Sequence, residues 1–148
     1  MTKVRKLTNT SPLEQDRKNE SLTQTFDHAV IHFEIPAKNV EALSEFYKNL
    51  FGWKFERMPI SGEVGDYWII ETKADMESPG ANGGMLKKMG PDHRPVNYVV
   101  VESVDEFSKK IQFLGGKIIV PKTPIANMGA FAIGSDPEDN TIGIVELS

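Results

Sequence analysis

A chain of 148 residues is long enough for one domain with a buried core, or for two small repeated modules, and too short for a multidomain machine. Hydrophobic residues make up 39% and charged residues 26%, which excludes fibrous and wholly disordered classes. The net charge of −4 and a pI near 5.4 argue against a nucleic-acid partner, whose footprint is a basic patch. The absence of cysteine excludes a disulfide scaffold, a thiolate metal site and a cysteine nucleophile, and it fits a reducing compartment. No apolar run approaches the roughly 18 residues of a membrane span, and the start lacks a signal-like apolar stretch, so a cytoplasmic protein without a membrane partner is expected.

Residues 1–25 contain no aromatic residue and only Met1, Val4, Leu7, Leu13 and Leu22 as hydrophobes, too few to fold alone, and are expected to form a polar tail. Five cationic against three acidic side chains give this stretch a charge of +2 and leave −6 for the body, 26–148. The body opens with His28 to Ile35, rich in β-formers and stopped by Pro36, which predicts a strand. Val40, Leu43, Phe46, Tyr47 and Leu50 then recur at helical spacing, with Asn39 as N-cap and Gly52 as the left-handed residue at the C-terminal end. Three short β-rich pieces follow at 53–56, 67–72 and 83–87. The same order recurs after His93: a strand at 96–101, a helix opened by the capping box Ser103-Val104-Asp105-Glu106 and ended by Gly115, then strands at 117–120, 130–133 and 141–146. The loop from Lys73 to Ala81 reads as a flexible rim or a plain surface loop.

The body is therefore read as α+β, two tandem βαβββ modules spanning 26–90 and 93–148. Aligning them pairs His32 with Asn97 at an offset of 65 residues, and Phe51-Gly52 with Leu114-Gly115 at an offset of 63. One helix covers only one face of a four-stranded sheet, so two modules side by side should enclose a cleft able to take a small molecule.

This arrangement, with the runs Val30-Ile31-His32-Phe33-Glu34-Ile35-Pro36, Phe46-Tyr47-Lys48-Asn49-Leu50-Phe51-Gly52-Trp53 and Asp136-Pro137-Glu138-Asp139-Asn140, resembles the vicinal oxygen chelate superfamily over about residues 27–147. That superfamily includes glyoxalase I, bleomycin-resistance proteins and extradiol dioxygenases. The resemblance implies a curved sheet and, in the enzymes, a divalent metal held by the first and fourth strands of each module. Carried over position by position, the ligand places are His32, Asn97, Gly84 and Gly143. Only His32 retains a good donor, whereas a catalytic site ordinarily has about three. No cofactor is therefore expected. The competing reading is a metal-dependent lyase, isomerase or dioxygenase that uses His32 with another ligand set. His28 cannot share an ion with His32, because four residues along a strand span about 13 Å.

Glu34 stands two residues beyond His32 and on the same strand face. It is the candidate general base of a metal-free cleft, with His32 orienting a substrate; the bland alternative is a carboxylate paired with a cation or with backbone amides. The cleft is expected to be lined by His32, Glu34, Trp68, Asn97 and Phe131. Tyr67 and Tyr98 could also stack on a planar ligand, and strand alternation puts only one of Tyr67 and Trp68 on the cleft side. The family's late turn usually carries glycine where Asp139 stands; aspartate tolerates the left-handed conformation, so the hairpin should survive. Exposed edge strands and the pairing common among relatives point to a homodimer, although one chain with both modules can form a cleft alone.

Overall fold

The computed structural model describes residues 28–59 and 66–148; the expected tail lies outside the described residues. The order is β1 Val30–Ala37, α1 Val40–Phe51, β2 Lys54–Pro59, β3 Asp66–Glu71 and β4 Asn82–Lys87, then β5 Val96–Val100, α2 Val104–Phe113, β6 Lys117–Ile125, β7 Gly129–Ser135 and β8 Thr141–Leu147. The strands make one eight-stranded mixed sheet in the order β2-β3-β4-β1-β5-β8-β7-β6. Each module closes on itself through a parallel pair, β1 with β4 and β5 with β8, and the two halves join through antiparallel β1 and β5.

The helix ends follow local chemistry. Asn39 accepts a bond from the Ala42 amide at 3.0 Å, and Gly52 closes α1 in the left-handed region at φ 74°. Ser103 caps α2 through the Glu106 amide at 3.1 Å. A further first-turn amide is met by a tertiary contact: Glu146 on β8 accepts from the Val104 N–H at 2.7 Å. Strand β6 runs well past the expected 117–120, through Pro121 and Pro124, because it lies at the sheet edge, where a missing N–H costs no ladder bond.

Both helices cover the same face. Under α1, Ala37, Ile70 and Met85 are buried with Phe33, Tyr47, Trp53 and Trp68 packed against them; under α2, Val101, Val104, Ala132 and Ile144 pack with Phe107 and Ile111. The loop at 73–81, read as a flexible rim or a plain surface loop, is tied down. The Asp75 carboxylate accepts from the Glu77 and Ser78 amides and the Ser78 hydroxyl, and Asn82 Oδ1 accepts from the Thr72 and Lys73 amides. Among the described residues no helix is long and apolar enough to cross a membrane.

In the β7–β8 turn, Asp136 accepts from the Glu138 and Asn140 amides while Asp139 sits at φ 67°, as expected of the place where the family carries glycine. Asp139→Gly should remove that strain at the expense of a freer unfolded chain. A net gain of about 0.5 kcal/mol in urea denaturation is expected; a loss of stability would mean that the aspartate side chain itself supports the turn.

Candidate functional site

The helix-free face carries the polar cluster. Strand alternation puts His32 and Glu34 on this face, and the register of β1 on β5 pairs His32 with Tyr98 and Glu34 with Val96. On β3, Tyr67 shares this face with Ile69, opposite Leu86 and Gly84 of β4. The four side chains meet at Glu34. The Tyr67 hydroxyl donates to Glu34 Oε2 at 3.0 Å and the Tyr98 hydroxyl to Oε1 at 3.2 Å, while His32 Nε2 lies 2.8 Å from the Tyr67 oxygen. With the Tyr67 proton committed to the carboxylate, the imidazole donates through Nε2–H, and the chain reads His32 to Tyr67 to Glu34.

Burial has the largest electrostatic effect on each member. It raises the affinity of Glu34 for a proton, against the two phenol bonds that lower it, and it holds His32 below the ordinary histidine value, in the neutral form. Burial, and then the charge of Glu34, push the phenols of Tyr67 and Tyr98 well above the usual tyrosine range, so both remain donors.

Two glycines make the cluster possible. A Cβ on Gly84 would run into the Tyr67 phenol, and one on Gly143 would come 2.5 Å from Tyr98 Cδ1. The tyrosines lie in the space that side chains on the fourth strands would fill. Exchange of the pairs His32–Tyr98 and Val96–Glu34 corresponds to an offset of 64 residues between modules, midway between the 65 and 63 read from the two motifs. The counterpart of His32 is thus Val96, which is buried at 3% exposure and offers no donor.

Of the expected site residues, His32 and Glu34 come together, and Phe131 packs edge-on against Tyr98 with ring centroids 6.2 Å apart. Two expectations are corrected. Asn97 pairs with Phe33 and points to the other face, exposed, because the one-residue error in module offset reverses its direction. Trp68 packs on the α1 side with Ile70 and Met85, and borders a depression of about 490 Å³ that also includes Lys38 and Lys87. Tyr67 takes the place on the helix-free face. The depression does not touch Glu34 and carries none of the cluster chemistry. Tyr67 and Tyr98, read from the sequence only as stacking candidates outside the expected cleft lining, are the hydrogen-bonding partners of Glu34; the signal for them is a glycine on the neighbouring strand, Gly143 directly across from Tyr98 and Gly84 diagonal to Tyr67, with room for a large side chain.

The family's metal does not fit these residues. Of the positions His32, Val96, Gly84 and Gly143, one bears a donor, and the phenols nearby are held protonated. Among the described residues no three His, Asp or Glu side chains converge as a ligand set.

The sheet topology falls within a known class. Residues 26–144 match the Glyoxalase/Bleomycin resistance protein/Dioxygenase superfamily, and the chain belongs to that family. It is 27% identical over 109 residues to proteins of Mycobacterium bovis and Mycobacterium tuberculosis that bear the name "Putative glyoxylase CFP32". The match takes in 70% of this chain and spans 40% of the length of those curated relatives. In three dimensions the chain is similar to methylmalonyl-CoA epimerase from Mycobacterium tuberculosis, with a TM-score of 0.57 and 10% identity over 83% of this chain and 93% of that one. It is also similar to a Legionella pneumophila structure described as an NAD-dependent benzaldehyde dehydrogenase, with a TM-score of 0.52 and 24% identity over 79% and 98% of the two chains. These likenesses establish the fold.

Proposed function

We propose that the protein binds a small molecule on the helix-free face of its sheet, between the two modules, without a divalent metal. The observation that carries this reading is the Glu34 carboxylate, placed where the two halves of the sheet meet and held by two phenols, with no cationic side chain of the described residues paired to it. The two phenols satisfy its oxygens with hydrogen bonds but leave its charge without a counter-charge, and His32, Glu34 and Tyr67 all remain partly open to solvent. His32 and Tyr67 present a neutral imidazole and a phenol as further hydrogen-bonding groups, and Phe131 extends the wall behind Tyr98. The raised proton affinity of Glu34 also suits a general base acting on a bound ligand.

Metal analysis tests the first part of the reading. The purified protein should hold far less than one equivalent of zinc, nickel or iron, and chelation should leave its melting temperature unchanged. A stoichiometric metal that disappears in His32→Ala would overturn the metal-free reading in favour of the lyase, isomerase or dioxygenase chemistry of the superfamily. The binding part is checked by a thermal-shift screen of small carbonyl, aromatic and ionic compounds, where a true ligand raises stability and Tyr67→Phe changes its effect.

A further inference from the structure

We infer that the ligand of this site is a small organic cation of the alkylammonium class, with Glu34 as its counter-charge and the rings of Tyr67, Tyr98 and His32 as its walls. The inference rests on the metal-free binding reading above and adds the chemical class of the ligand.

Charge placement is the first support. The six inner strands contribute to the helix-free face two carboxylates, Glu34 and Glu71, and no lysine or arginine; Lys87 pairs with Ala37 and points away, and Lys54 of edge strand β2 stands opposite Glu71, which leaves Glu34 as the carboxylate with no lysine or arginine facing it from these strands. Among the described residues Glu34 enters no ion pair, while Lys48, Arg57, Lys117 and Lys122 are each engaged at the surface with other acids. A partly buried carboxylate without a cation is electrostatically incomplete, because two neutral donors supply hydrogen bonds but no charge.

The surrounding rings are the second support. His32 lies 6.4 Å from Tyr67 in a stacked arrangement and 5.7 Å from Tyr98 edge-on, with Phe131 behind Tyr98. Tyr98, 6% exposed, forms the floor, and Tyr67 and His32 form the partly open sides. Both phenols donate to a carboxylate, which enriches their ring faces in electron density and strengthens attraction for a cation. An anionic ligand would instead meet Glu34 with no compensating lysine or arginine from the inner strands.

Choline and its neutral isostere 3,3-dimethylbutan-1-ol separate charge from shape. Calorimetric or NMR titration of the full chain should give choline roughly tenfold tighter binding than the isostere, with the difference weakened by salt. Glu34→Gln should erase the preference. If that variant fails to fold, the pH dependence of choline binding to the native protein serves the same end. Choline's charge is constant, so binding must fall as Glu34 takes up a proton. The groups facing Glu34 are His32, Tyr67 and Tyr98: the phenols stay neutral, and a protonated His32 would act in the same direction. Equal binding of the isostere, a preference retained in Glu34→Gln, pH-independent choline binding, or no binding of choline would each overturn the cation assignment. Binding of the isostere, or of a neutral or anionic compound from the screen, that Tyr67→Phe abolishes would leave the underlying site reading standing.

Discussion

Gly143→Ala should cost about 1–3 kcal/mol of folding stability, the usual range for forcing extra volume into a packed site. The added Cβ would come within 3 Å of Cδ1, Cε1 and Cγ of Tyr98, at the base of a ring that has no room to swing because it packs with Val96, Val100 and Val145. Gly84→Ala meets the other tyrosine at its far end, so Tyr67 can rotate away. The stability loss there should be smaller and the chemical consequence larger, because the moved phenol gives up its bonds to Glu34 and His32. Gly90→Ala is the control: nothing lies within 4 Å of its Cβ, and a change within about 0.5 kcal/mol is expected. Urea denaturation of the three variants checks the ranking. A Gly143→Ala protein as stable as the native one would mean that the β5–β8 contact is looser than the structure has it.

Tyr98→Phe should cost about 1–3 kcal/mol at pH 8, since it keeps the ring and strips a donor from a largely buried carboxylate. The cost should depend on pH in a definite sense. Burial raises the proton affinity of Glu34 above the ordinary glutamate value of 4.5, so the folded protein holds this proton more tightly than the unfolded chain. The stability that Glu34 contributes is therefore fully present below pH 4.5 and is lost as pH rises through its folded value. Removing a phenol donor raises that value further, so the variant should lose more stability than the native protein on going to pH 8. Denaturation curves at pH 4.5 and pH 8 for Tyr98→Phe, with and without Glu34→Gln, separate the effects. A penalty equal at both pH values, or one that persists in the Glu34→Gln background, would show that the hydroxyl does not act through the carboxylate.

Much of the fold is legible in the amino-acid order because each element carries its own local signal. Asn39 and Ser103 cap where expected, Gly52 takes the left-handed turn, and Asp139 adopts the conformation that the family reserves for glycine. The site is legible only in part. Alternation along one strand suffices to put His32 and Glu34 on one face, but two motif offsets that differ by two residues leave the partner strand uncertain by one. One residue reverses a strand side chain. That is why Asn97 falls on the helix side and Tyr98 beside Glu34; on β3, alternation allows one of Tyr67 and Trp68 on each face, and the packing of Trp68 under α1 is what puts Tyr67 beside Glu34.

The sequence by itself thus determined the duplicated β-α-β-β-β order, the family, and the loss of side chains at Gly84 and Gly143, all of which are local or repeat properties of the chain. Tertiary structure alone decided what fills those places. Tyr67 sits 33 residues from Glu34 and Tyr98 sits 64, and no local pattern records that both phenols close on one carboxylate. Their convergence depends on the register of β1 against β4 and β5, which is set by long-range packing of the two sheet halves. The same register turns empty metal-ligand positions into room for the two phenols that hold the Glu34 carboxylate.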